Sequence, residues 1–148
     1  MFEIKYCFTE NNTEVAKNVD EMTLRYELFL GSVWLEIDDK KISMDWKWIP
    51  LLDFALCLHT ICGSLNKQAK GEEVFEFTES EATILFRREG DKCEVSASFT
   101  NSCLTMRYVA FQDAVQLFCR NIIADILSKN ENLKANRVIK KIMKSLLL

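Results

Sequence analysis

The only histidine in the 148-residue chain, His59, sits three residues before Cys62 in an apolar stretch, and it is the first place to look for chemistry. An imidazole titrates near neutrality and can serve as a general base, and a neighbouring thiol could then act as a nucleophile. The alternative is a histidine packed in the core and hydrogen-bonded to a neighbour. No serine, cysteine or carboxylate stands at a spacing that favours the catalytic reading. Six cysteines (Cys7, Cys57, Cys62, Cys93, Cys103 and Cys119) contain no Cys-x-x-Cys pair, so with one histidine they supply no zinc ligand set. Four scattered glycines cannot build a phosphate-cradling loop. The residues therefore predict no catalytic group, no cofactor and no metal, and a protein that is not an enzyme. A hydrolase or transferase reading would require His59 exposed in a cleft beside an acid.

Charge is distributed unevenly. Up to Met106 there are 19 acidic and 11 basic residues, a net of −8, and from Arg107 onward 8 basic and 3 acidic, a net of +5. Acids concentrate in Glu36, Asp38 and Asp39, and again in Glu72, Glu73, Glu76, Glu79 and Glu81. They form either a surface complementary to a basic partner or a solvated face that protects strand edges. The basic residues near the C-terminus, Lys134, Arg137, Lys140, Lys141 and Lys144, flank the apolar stripe Ala135, Val138, Ile139, Ile142 and Leu146. That pattern predicts a helix docked on the core with solvated lysines. With a pI near 5.3 and no aromatics interleaved there, nucleic acid is not an expected partner. Trp34 breaks the inward set Val33, Leu35 and Ile37, so it projects from the opposite face and is a candidate interface anchor. Trp46 and Trp48 share parity with Met44 and read as core.

These side chains must be carried by a fold, and periodicity predicts α+β. Alternation at Phe2, Ile4, Tyr6 and Phe8 gives a first strand, broken by the polar run Thr9–Thr13. Leu24, Tyr26, Leu28 and Leu30 read as a second strand, and residues 14–21 as either helix or loop. Val33, Leu35 and Ile37 form a third, turning through Asp38-Asp39-Lys40 into Ile42 and Met44. A buried central helix is expected over about Ile49–Asn66, with Pro50 at its first position. Four strands from Glu73 to about Tyr108 form an antiparallel meander with short turns. Helices follow over Phe111–Leu127 and from Leu133 to about Leu147. The antiparallel sheet, N-terminal strands plus meander, is expected to pack on the central helix and the two C-terminal helices.

At 148 residues the chain fits one domain, 1–148. The start lacks the layout of a signal peptide, and Ile49–Cys62 is too short for a membrane span. Each cysteine lies in an apolar pattern, which predicts reduced, buried thiols in a cytoplasm.

Three segments carry a resemblance: the hairpin from Gly31 to Asp39, the helix entered through Trp48-Ile49-Pro50-Leu51-Leu52, and Phe75–Ser80 leading into Ala82–Phe86. In this order of elements the chain resembles small bacterial immunity proteins, which partner the toxins of contact-dependent growth inhibition and related polymorphic toxin systems. The resemblance implies a cytoplasmic toxin inhibitor that binds one cognate toxin domain and blocks its active site or its access to substrate. Toxins of that class are often nucleases with basic clefts, which would suit the acids. The partner-binding candidates, taken from charge and exposure, are Trp34, Glu36, Asp38, Asp39, Glu72, Glu73, Glu76, Glu79 and Glu81. Neither nucleic acid nor membrane is an expected partner. The alternative is a regulatory or small-ligand domain with an apolar pocket between sheet and central helix.

Overall fold

A computed structural model describes residues 1–9 and 15–148. Most of the expected polar break after the first strand, and the start of the undecided segment 14–21, lie outside the described residues.

The architecture is α+β, and its strands divide between two antiparallel sheets. The first has the order β1 (Glu3–Phe8), β2 (Leu30–Ile37), β3 (Lys40–Pro50). Residues directly opposite share a face, and the register Lys5–Trp34–Ser43 and Glu3–Glu36–Lys41 defines the outer one. Ile4, Leu35 and Ile42 define the inner one. Trp34 thus stands on the outer face, half-buried, as alternation predicts. Asp38 and Asp39 form the two-residue turn between β2 and β3, with Asp38 at φ 53°.

A bulge breaks this hairpin near its base, where Gly31 pairs with Ile49 while Val33 pairs with Met44. The buried Ser32 hydroxyl satisfies it, donating to Asp45 Oδ1 at 3.0 Å and accepting from the Lys47 N–H at 3.0 Å. Within the bulged stretch of β3 Trp46 and Trp48 lie stacked 5.3 Å apart. Trp46 then meets the edges of Phe77 and Phe99 at 5.1 and 4.8 Å. The two tryptophans are partly buried rather than core residues, and they pack the first sheet against aromatic rings that follow strands of the second.

The second sheet is the expected meander, in the order β4 (Lys70–Glu76), β5 (Thr83–Glu89), β6 (Lys92–Ala97), β7 (Cys103–Arg107). Both β1 and β4 are edge strands.

Among the described residues, three α-helices complete the fold: α1 (Leu51–Asn66), α2 (Tyr108–Lys129) and α3 (Arg137–Ser145). Pro50 is the last residue of β3 and the N-cap of α1, one position earlier than the sequence suggests. The C-terminal end of α1 is held by two side chains from outside it. Arg88 Nη1 donates to the Leu65 carbonyl at 2.9 Å and the Tyr108 hydroxyl to the Cys62 carbonyl at 3.0 Å. Between α1, α2 and the second sheet, Phe54 contacts Phe75, Phe77 and Phe118 at 5.0, 6.2 and 5.9 Å, filling the space behind the central helix.

Two readings of the sequence are corrected. The second strand does not begin at Leu24: residues Thr23–Glu27 form a π-helix, with the Leu28 N–H donating to the Thr23 carbonyl, and β2 begins only at Leu30. Leu24 within the π-helix and Phe29 just beyond it are buried, while Tyr26 is exposed. The last helix does not start at Leu133, because a 3₁₀ turn over Glu131–Ala135 precedes it. Asn136 caps α3, its Oδ1 accepting from the Ile139 N–H at 3.0 Å. Its Nδ2 donates to the carbonyls of Lys17 and Val19 at 2.9 and 3.0 Å, tying the N-terminal segment to α3. Ile139, Ile142 and Leu146 are buried and the lysines exposed, as the stripe predicts.

Replacing Asn136 with alanine removes the cap and leaves the partly buried carbonyls of Lys17 and Val19 without this donor. The expected loss is about 2–3 kcal/mol, seen as a fall in Tm of roughly 5–10 °C by circular dichroism. A shift below about 2 °C would show that the N-terminal segment is not held in this way.

Candidate functional site

The sequence-predicted acids fall on separate sheets. Glu36, on the outer face of the first, is already engaged by Lys5 at 3.3 Å and Lys41 at 3.9 Å. Asp38 faces the chain's own N-terminal amine at 3.8 Å, and Asp39 is exposed in the turn. Glu72 pairs across strands with Arg87 at 2.9 Å. Among the described residues no salt bridge engages Glu73, Glu76, Glu79 or Glu81, which lie on β4 and in the turn after it. The acidic character therefore concentrates along one edge of the second sheet.

The backbone of that edge is open, and its pattern follows from the ladder. Residues opposite one another in an antiparallel pair alternate between exchanging both hydrogen bonds and exchanging none. At the two ends of the β4–β5 hairpin, the Phe77 N–H donates to the Ala82 carbonyl and the Gly90 N–H to the Ala69 carbonyl. In the same register the odd-numbered residues of β4 bond to β5. The Thr83 carbonyl, opposite Glu76, accepts instead from the Ser98 N–H on the far side. The peptide groups of Glu72, Val74 and Glu76 therefore point away from the sheet. Val74 lies between the two acids and is 51% exposed.

Beside this edge a cleft of about 750 Å³ separates β4 from α1 and the π-helix. Its lining includes Arg25, Asp53, Cys57, His59, Val74 and Glu76. His59 corrects the sequence reading, since it is not a buried core histidine. It is partly exposed and, among the described residues, makes no side-chain hydrogen bond. It lies with Leu56 and Thr60 on the only partly covered stripe of an otherwise apolar helix.

Acids do share the cleft with His59, which is the condition set for a catalytic reading. Of these, Glu76 is exposed on the edge strand and unengaged by a salt bridge among the described residues, while Asp53 is otherwise committed. Asp53 is buried and accepts from Arg25 Nε at 2.9 Å and Nη2 at 2.5 Å, an anchor that fixes the π-helix to the first turn of α1. Burial first, and the Asp53 carboxylate second, push the Cys57 thiol up to about 11. It is held as a neutral thiol at neutral pH, the opposite of an activated nucleophile. No group of three metal-ligating side chains converges among the described residues. No helix among them is long and apolar enough to cross a membrane.

No family model, curated protein or solved structure matches the chain.

All six cysteines are free. Cys93 and Cys119 are buried as expected, but Cys7 and Cys103 are exposed, because they fall on the outward parity of β1 and β7. A second groove of about 750 Å³, more apolar, runs along β1 and α2 past Leu117. Sequence reasoning found the acids of β4 but missed Arg25, Asp53 and the cleft. Asp53 looks like a helix-dipole partner, and its true partner lies 28 residues away.

Proposed function

We propose that the protein acts by binding a basic protein domain along β4 and the turn that follows it, and that its partner is a cognate bacterial toxin neutralised in the cytoplasm. One observation supports this above the others: Glu73, Glu76, Glu79 and Glu81, none engaged by a salt bridge among the described residues, follow one another along an edge strand and the turn after it, whereas Glu36 and Asp38 of the first sheet are paired. A nuclease toxin carries a basic cleft for its substrate, and Glu76, Glu79 and Glu81 offer that cleft competing carboxylates. Phe54 and its ring contacts fill the interior between sheet and α1, and the cleft left at the β4 edge, where the alternative reading would have to place an apolar ligand, carries the Arg25–Asp53 ion pair in its wall.

The test is growth rescue and titration with whichever toxin domain is found encoded next to the gene for this chain. The double variant Glu76→Lys with Glu79→Lys is expected to weaken binding at least 100-fold and to abolish rescue, with Tm unchanged, because both positions are exposed. Unchanged affinity would remove this edge from the interface.

A further inference from the structure

We infer that the β4 edge accepts an extended segment of its partner as an added strand, and that the segment reads basic–x–apolar–x–basic. This rests on the proposed partner-binding role of the same edge and specifies the chemistry of what binds there. The outward peptide groups belong to Glu72, Val74 and Glu76, spaced two apart with their side chains on one face. A strand added to an edge exchanges its backbone bonds with such residues, and the side chains directly opposite share their face. Lysine or arginine opposite Glu72 and Glu76, with an apolar residue opposite Val74, complements what the edge presents. The segment is added antiparallel, so that the residues opposite Glu72, Val74 and Glu76 are the ones that exchange both hydrogen bonds with the edge. Glu72 already meets Arg87, so Glu76, opposite the uncharged Thr83, carries the larger share of the charge selectivity.

The two intervening residues of the segment would face the other way, into the cleft, where Leu56, His59 and Thr60 offer a partly apolar wall with polar points. The acids also exclude another occupant. Pairing two copies of β4 edge to edge would bring Glu72 and Glu76 against like charges, which penalises self-association through an open strand. The edge is closed to itself and open to a basic strand.

The probe is an acetylated, amidated heptapeptide with a Lys-Thr-Val-Thr-Lys core, beside the same peptide N-methylated at valine and both lysines. Binding is followed by amide chemical shifts and hydrogen exchange. With the unmodified peptide the amides of Glu72, Val74 and Glu76 are expected to shift and to exchange at least tenfold more slowly. The N-methylated peptide keeps the charge but loses the donors, and at least tenfold of the affinity. Val74→Pro removes an outward N–H that the β4–β5 ladder does not use, and is expected to weaken binding equally. If that variant melts early, the N-methylated peptide decides alone. Equal binding of the two peptides, or no binding of either, overturns the inference. If Glu76→Lys with Glu79→Lys abolishes toxin binding while N-methylation and Val74→Pro change nothing, strand addition fails and the acidic surface stands.

Discussion

Alanine at Gly31 is expected to detach β1 from the first sheet and lower Tm by 10 °C or more. A Cβ at this position would lie 2.1 Å from the Cys7 carbonyl oxygen and 2.7 Å from Leu51 Cδ1. The leucine methyl could swing away, but the carbonyl belongs to the strand backbone and can retreat only if β1 moves. Gly31 pairs with Phe8 on one side and Ile49 on the other, so neither neighbour can yield without breaking a ladder. The Ser32–Lys47 bulge adjoins it and holds the strand in place. Steric conflict with fixed backbone belongs to the small class of substitutions costing more than about 4 kcal/mol. Thermal melting measures the loss, and hydrogen exchange should show β1 amides unprotected while those of β5 and β6 stay slow. A melting temperature within 2 °C of the parent would mean that β1 does not approach β2 this closely.

Gly31 also shows where sequence reading ends. Its place before Val33, Leu35 and Ile37 marks a strand boundary, and the hairpin through Asp38 and Asp39 is legible because alternation and a turn signal coincide. What the glycine is for depends on Cys7, 24 residues earlier, and no local pattern carries that. The same holds for Leu24–Leu30. Four apolar residues at period two read as a strand, yet Thr23–Glu27 form a π-helical turn, with Leu24 buried and Arg25 bonded to Asp53, and β2 begins only at Leu30. Short apolar runs do not separate the two, and a long-range ion pair decides.

The candidate site divides along the same line. Alternation through Glu72, Val74 and Glu76 predicts that these side chains share a face. That the strand is an edge, and that a cleft opens behind it, depends on sheet order. His59 lies on an apolar helix, so composition places it in the core. It reaches the cleft because β4, being an edge strand, leaves one stripe of α1 uncovered. The same missing neighbour strand exposes the backbone groups, the acids and the histidine together.

Raising the pH from 9 to 11 is expected to lower the stability of the protein steeply, by about 5 kcal/mol, even with its cysteines kept reduced. Burial pushes the Cys93 and Cys119 thiols up to about 12, from an ordinary value near 9. Tyr108 is also held up to about 12, and burial with the Asp125 carboxylate raises Tyr6 as well. In each case the folded chain keeps a proton that the unfolded chain releases. Their contribution is complete below the unfolded values and is lost as pH rises toward the folded ones. Cys93 and Cys119 have almost no exposed surface, so solvent screens them little. Each should remove somewhat over 1 kcal/mol per pH unit above 9, together roughly 3 kcal/mol per unit. A domain of this size has a total stability of about 5–15 kcal/mol, which that slope exhausts within a few pH units, sooner once the tyrosines begin to titrate. Urea melts at pH 7, 9, 10 and 10.5 measure the slope directly. A stability that stays level to pH 11 would mean that the two thiols ionise within the folded chain, and that the core around them admits water.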